Sequence, residues 1–304
     1  MVADAPALSA PVTGTAAGVP FLALPPAAAT GAPAPLVVGL HAFEPPRSES
    51  ALAGAVPMAS LPAWRVYLGL PLFGARLPEG GVTEINRRGE RDYLVELFGP
   101  VVEEAAAELR RVVEELRSDF PVADTPVGLV GVGAGASAVL LALAEDRLQV
   151  GAAAVINPIV EPSLLMAARE RRTGNPYRWS AQAQQTRGWL DFSARADEIS
   201  RVGTPVLIVN GGRDEVAPAE HGRAFHDTLA AQGSPQSPEH GGGRAAEHAL
   251  RHIVVPDLAH AIGPEPGLEP GPLTPAGVLT DRALTEWFHL HLTSSPQVQA
   301  PADA

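Results

Sequence analysis

The stretch from Pro126 to Leu143 reads PVGLVGVGAGASAVLLAL, and its reading decides the fold. Val127 to Val130 is a short apolar run that suits a strand buried on both faces. Ala136 to Leu143 is apolar on every side and suits a buried helix. Between them stands Gly131-Val132-Gly133-Ala134-Gly135. A strand that turns at once into a helix brings the two backbones almost into contact, and small residues on both flanks leave the room. Gly-x-Ser-x-Gly is the pattern of a nucleophile elbow, and this chain departs from it at the centre, which is Gly133. Ser137 lies one helical turn further on, away from the tip, so it does not replace the missing hydroxyl.

Composition narrows the chemistry. The chain has 304 residues, enough for one large α/β domain with excursions. Its formal net charge is −12, with no basic run longer than Arg171-Arg172, which argues against nucleic acid and anionic membranes as partners. The permanent cations are all Arg; without Lys there is no Schiff-base lysine, pyridoxal-phosphate enzyme or Walker-type phosphate loop. Without Cys there is no disulfide, catalytic thiol or thiolate metal site. No signal-peptide pattern and no membrane-length apolar stretch is seen, so a soluble cytoplasmic protein is expected.

Strands and helices alternate around this centre. Residues 1–16 are Ala/Pro-rich and expected to be disordered. Val19–Leu24, Leu36–Leu40, Trp64–Leu70, Val150–Ile156, Pro205–Asn210 and His252–Val255 read as further strands. Phe73–Arg91 reads as a Gly/Arg-rich loop, and Leu94–Leu116 as a helix with Val102, Ala106, Leu109 and Val113 on one face. Residues 159–201 are irregular and carry Tyr177, Trp179 and Trp189, which suits a small helical lid whose aromatics contact a substrate. Gln232–Arg244 reads as a surface loop and residues 296–304 as a frayed tail. The expected fold class is α/β, a mainly parallel sheet covered by helices on both faces, with the main domain over residues 17–295.

Three loops that follow strand ends carry candidate chemistry. They are the elbow, the Asp214 loop after the 205–210 strand, and the His260 loop after the 252–255 strand. In a parallel sheet such ends share one edge, so the loops can meet. The motifs GVGAG (131–135), VLIVNGGRDEVAP (206–218) and PDLAH (256–260), with His41-Ala42-Phe43, resemble the α/β-hydrolase superfamily of esterases and acyl hydrolases over about Val19–Leu292. The resemblance implies small ester or acyl substrates and no cofactor. It also implies that Asp214 orients the imidazole of His260, the general acid and base. Ala134 with Phe43 or Ala42 would donate backbone N–H groups to an oxyanion, and His41 would line the substrate site. Asp257 is a rival acid but lies only three residues before His260 and more simply shapes the turn.

Gly133 leaves three explanations: a natural loss of Ser with the pocket kept for binding, a changed mechanism in which His260 activates water or, in a non-hydrolytic enzyme, moves a proton on the substrate, or a serine replaced by design. A non-catalytic binding or regulatory protein is therefore the alternative to an enzyme. Gly131–Ala136 also reads G-x-G-x-x-A, so a dinucleotide-binding protein is a third reading, although the next strand ends in Asn157 rather than an acid. The spacing of the nine His suggests no metal site, and oligomeric state is not legible.

Overall fold

The computed structural model describes residues 10–28, 32–232 and 249–293. Eight strands form one sheet: β1 Val12–Ala16, β2 Val19–Leu24, β3 Leu36–Leu40, β4 Trp64–Leu68, β5 Val127–Val132, β6 Val150–Ile156, β7 Val206–Gly211 and β8 Leu250–Val255. Their spatial order is β1-β2-β4-β3-β5-β6-β7-β8. The β1–β2 and β2–β4 pairs are antiparallel and the remaining pairs parallel. The expected α/β class, a mainly parallel sheet under helices, is the observed one.

The helices are α1 Glu49–Ala55, α2 Gly81–Asp92, α3 Gly99–Asp119, α4 Ala134–Ala144, α5 Pro162–Thr173, α6 Ala181–Trp189, α7 Ala196–Ser200, α8 Ala219–Gln232 and α9 Pro275–Phe288. Two apolar cores lie on the two faces of the sheet. One gathers Phe98, Val102, Leu109, Leu140 and Phe225; the other gathers Leu52, Val130, Leu207, Trp287 and Phe288. Every residue of α4 is buried, as its uniformly apolar sequence requires.

Two sequence expectations fail here. Residues 12–16, expected to be disordered, form β1. The chain reverses through Ala17 (φ 49°) and Gly18 (φ 81°), a two-residue turn with both φ values positive that matches the twist of a hairpin. The Ala/Pro bias of the segment hid the Val-Thr-Gly-Thr run that pairs with β2. The stretch 73–91, expected to be a loop, holds a short turn at Gly74–Arg76 and most of α2. Glu84 pairs with Arg87 and Arg88 along that helix, so i,i+3 and i,i+4 charge pairs support it in place of an apolar stripe. A π-helical turn, Tyr93–Phe98, then leads into α3. Residues 1–9, the stretch 233–244 that the sequence reads as a loop, and residues 296–304, read as a tail, fall outside the described residues.

Candidate active site

The elbow has the geometry its sequence demands. Gly133 sits at φ 52°, ψ −113°, a combination strained for any residue with a β-carbon. A β-carbon on Gly131 would stand 2.3 Å from the Gly135 carbonyl oxygen, and one on Gly135 would stand 2.3 Å from that of Leu40. The flanking glycines are therefore what lets β5, α4 and the exit of β3 close on one another. Ser137 is buried and its hydroxyl faces Ile159 O at 3.2 Å and Gly133 O at 3.4 Å, away from the tip.

Asp214 and His260 meet beside this corner. Asp214 Oδ2 accepts from His260 Nδ1 at 2.8 Å, and Oδ1 accepts from the Val216 and Ala217 N–H groups, each at 2.8 Å. Three donors thus fix the carboxylate, and the carboxylate fixes which imidazole nitrogen carries hydrogen. Nε2 is turned toward the elbow: it lies 3.7 Å from the point where a β-carbon on Gly133 would stand. Burial pulls the His260 pKa down, but the hydrogen bond that Nδ1 donates to Asp214 and the nearby charges of Glu44 and Asp214 outweigh it, so the net shift is upward. Asp257, the rival acid, is exposed and pairs with Arg213 at 2.5 Å.

The loop leaving β3 corrects two sequence expectations. Ala42 donates its N–H to Pro46 O at 3.2 Å, so it is not free to serve as an oxyanion donor. Among the described residues no acceptor takes the N–H of Phe43 or Ala134, so of the named donors these two remain. His41 does not line a substrate site: it is fully buried. Leu70 N–H donates to its Nε2 at 3.0 Å, which forces the hydrogen onto Nδ1, and that donates to Ala42 O at 2.8 Å. Burial lowers its pKa to about 4, against a weaker upward pull from the Ala42 hydrogen bond, so the ring is a neutral strut under the loop.

The aromatics of 159–201 separate. Trp189 donates its indole N–H to Glu145 Oε1 at 3.1 Å. Glu145 caps the far end of the 11-residue α4, roughly 16 Å along the helix from the elbow, so Trp189 anchors the insertion and does not line the site. Tyr177 donates its hydroxyl to Asp92 Oδ1 at 2.6 Å and meets Trp179 edge-on at 5.0 Å. Asp92 also accepts from Leu94 and Val95, starting the turn that carries Tyr93. Tyr93 packs edge-on to Phe43 at 6.3 Å, with Arg169 of α5 4.5 Å above its ring. Tyr177 is thus linked toward the elbow region through Asp92 and Tyr93.

Sequence reasoning gave no site role to three groups. Phe73 stacks on Phe43 at 4.7 Å and, with Tyr93 and Phe98, encloses the Phe43 ring beside the elbow. Asn157, buried at φ 48°, accepts from Gly211 N–H at 2.7 Å and donates to Ala259 O at 2.7 Å and His260 O at 3.2 Å. It therefore ties the end of β7 to the His260 loop, and its amide is committed where a dinucleotide site needs an acid. A polar residue closing a buried apolar strand was its only signal. Glu44 lies with Oε2 3.6 Å from His260 Nε2. No group of three or more His, Cys, Asp or Glu able to hold a metal occurs among the described residues. Nor is any described helix long and apolar enough to cross a membrane.

This sheet order, with a His–Asp pair at the strand ends beside a strand–turn–helix corner, defines the α/β-hydrolase fold. Solved structures agree. TT1662 from Thermus thermophilus superposes with a TM-score of 0.61 at 18% identity, over 94% of this chain and 99% of that one. An acylaminoacyl peptidase from Pyrococcus horikoshii gives 0.62 at 14% identity over 95% of this chain, which spans 42% of the peptidase. Est1E from Butyrivibrio proteoclasticus, with ferulic acid bound, gives 0.57 at 13% identity over 93% and 99% of the two chains. Identities this low establish the fold alone. No family model and no curated protein sequence matches the chain.

Proposed function

We propose that this protein hydrolyses carboxylic esters or related small acyl compounds by direct attack of a water molecule held beside His260, without an acyl-enzyme. The observation that carries the reading is the aim of the imidazole. Its Nδ1 is held by Asp214 at 2.8 Å while its Nε2 points at the space over Gly133, 3.7 Å from the β-carbon position. A serine hydroxyl would fill that space; glycine leaves room for water. The N–H groups of Phe43 and Ala134 would stabilise the oxyanion, each worth about 3 kcal/mol in the transition state. Without a nucleophile such a site retains a rate on the order of 10³ to 10⁴ over water. Neighbours named as peptidases and as an esterase domain support an acyl substrate. Helix α5 reaches the aromatic group around Phe43 through Arg169, which supports a covering role for part of the 159–201 insertion.

The bare glycine itself favours a second reading, a binding protein that keeps the pocket and performs no chemistry. Hydrolysis of p-nitrophenyl acetate separates the two. The proposal expects slow turnover by the unchanged protein and its loss in His260→Ala. Gly133→Ser is expected to add covalent labelling by a fluorophosphonate. Absence of turnover, or turnover that His260→Ala leaves intact, would establish the binding reading or a different site.

A further inference from the structure

We propose that Glu44 is the base of this site: its carboxylate takes the proton from the attacking water, and His260 supplies the proton that the leaving group needs. This division of labour rests on the hydrolytic reading above. The position over Gly133 is shared by two groups. The β-carbon point lies 3.7 Å from His260 Nε2 and 3.9 Å from Glu44 Oε2, with the Ala42 β-carbon 3.3 Å away on the third side. The two polar atoms are 3.6 Å from each other, so one water resting slightly outward of that point can touch both.

Glu44 is held there by its neighbours. The Phe43 carbonyl accepts from Arg47 Nε at 2.8 Å, and Arg47 Nη1 continues to Glu265 and to Pro266 O, each at 2.8 Å. The Pro45 carbonyl accepts the Ile262 N–H at 3.0 Å and the Gly263 N–H at 3.2 Å. Both residues flanking Glu44 are therefore fastened to the segment that follows His260. The Glu44 side chain keeps 34% of its surface accessible, so solvent reaches the carboxylate.

The charges argue for the same assignment. Asp214 faces Nδ1 from the β7 loop and Glu44 faces Nε2 from the β3 loop; the elbow glycine brings no charge, Asn157 meets only the His260 carbonyl, and Tyr93, which faces Glu44, is kept a neutral phenol by burial. An imidazole between two carboxylates favours its protonated form, and an imidazolium donates a proton more readily than it accepts one. The steps balance. Water's O–H bond breaks toward Glu44 while its oxygen bonds to the carbonyl carbon, and the oxyanion rests on the Phe43 and Ala134 N–H groups. Collapse breaks the bond to the leaving alcohol, which takes the Nε2 proton, and the Glu44 proton then returns to His260. The products are one acid and one alcohol.

The test uses p-nitrophenyl acetate with Glu44→Gln and Glu44→Asp, each alone and Glu44→Gln also combined with Gly133→Ser. The expectation is a fall in kcat of about 100-fold or more for Glu44→Gln with KM little changed, and partial recovery for Glu44→Asp. The acid-side limb of the kcat–pH profile should disappear, and the His260 imidazole pKa, followed by NMR, should fall. With Ser at 133 the imidazole becomes the base, so Glu44→Gln should cost less than about tenfold there. Equal losses in both backgrounds would reduce Glu44 to a structural role and overturn the proposal. Full activity in Glu44→Gln, with His260→Ala inactive, overturns it while sparing the hydrolytic reading. An unchanged protein that hydrolyses nothing overturns both. Should Gly133→Ser not fold, an acid limb that survives in Glu44→Gln would be the overturning result.

Discussion

Two buried histidines stand at the same edge of the sheet and behave in opposite ways. His41 follows β3 and His260 follows the last strand, β8; both are at least nine-tenths buried. The hydrogen bonds of His41 go to two backbone groups, one donor and one acceptor, and burial holds it neutral with a pKa lowered to about 4. Burial also presses on His260, yet Asp214 and Glu44 carry its pKa upward. Burial alone therefore does not decide what an imidazole can do; the partners on its two nitrogens do. One ring supports the loop, and the other is the one to which the proposed hydrolysis assigns proton transfer.

The strongest way to break this contrast is to remove the partner that distinguishes the rings. Asp214→Asn keeps the shape but cannot hold the same tautomer, and a loss of about 100-fold in kcat is expected, the lower end of what one positioned acid–base group contributes. Esterase kinetics measure it, and an activity within tenfold of the parent would show that the pair does not govern proton transfer. The next largest effect is on stability. His41 binds its proton near pH 4 when folded but near 6.5 when unfolded, so between these values the unfolded chain holds more protons. Stability should therefore fall by about 3 kcal/mol as pH drops from above 6.5 to 4. His260 acts with the other sign: its contribution is complete below 6.5 and is lost as pH rises through its raised folded value. Urea unfolding of the parent and of His41→Gln across this range checks the assignment; equal acid slopes in the two proteins would contradict it. The smallest effect is expected at Asp257, whose ion pair with Arg213 has both side chains about 70% exposed. Asp257→Asn should change the unfolding free energy by less than about 0.5 kcal/mol and leave kcat unchanged. A large loss of activity there would return Asp257 to the role given to Asp214.

Much of the architecture was legible because its signals are local. Apolar runs marked the buried strands, and α4 announced itself by having no polar face. The flanking glycines of the elbow were equally plain, since a β-carbon at either position would strike backbone. Less visible were elements supported by other means. β1 depends on pairing with β2 rather than on an apolar face of its own, and α2 is supported by charge pairs. In the site, the meeting of Asp214 with His260 followed from strand order. Glu44 and Asn157 gave little warning, because a glutamate in a loop and an asparagine at a strand end look like solvent-facing or turn residues until the loops are folded together.

By itself the sequence determined that the backbone turns sharply at 131–135, that no hydroxyl or thiol stands at the tip, and that an acid and a histidine follow later strands. These are properties of residue type, order and local sterics. Only the tertiary structure decided that His41 is a strut, that the Ala42 N–H is already taken, that Trp189 anchors the far end of α4 and that Glu44 faces His260. Each of these depends on which groups from distant parts of the chain fill the remaining valences of a buried polar atom. That pairing is set by how the loops pack at the sheet edge, and residue order alone does not contain it.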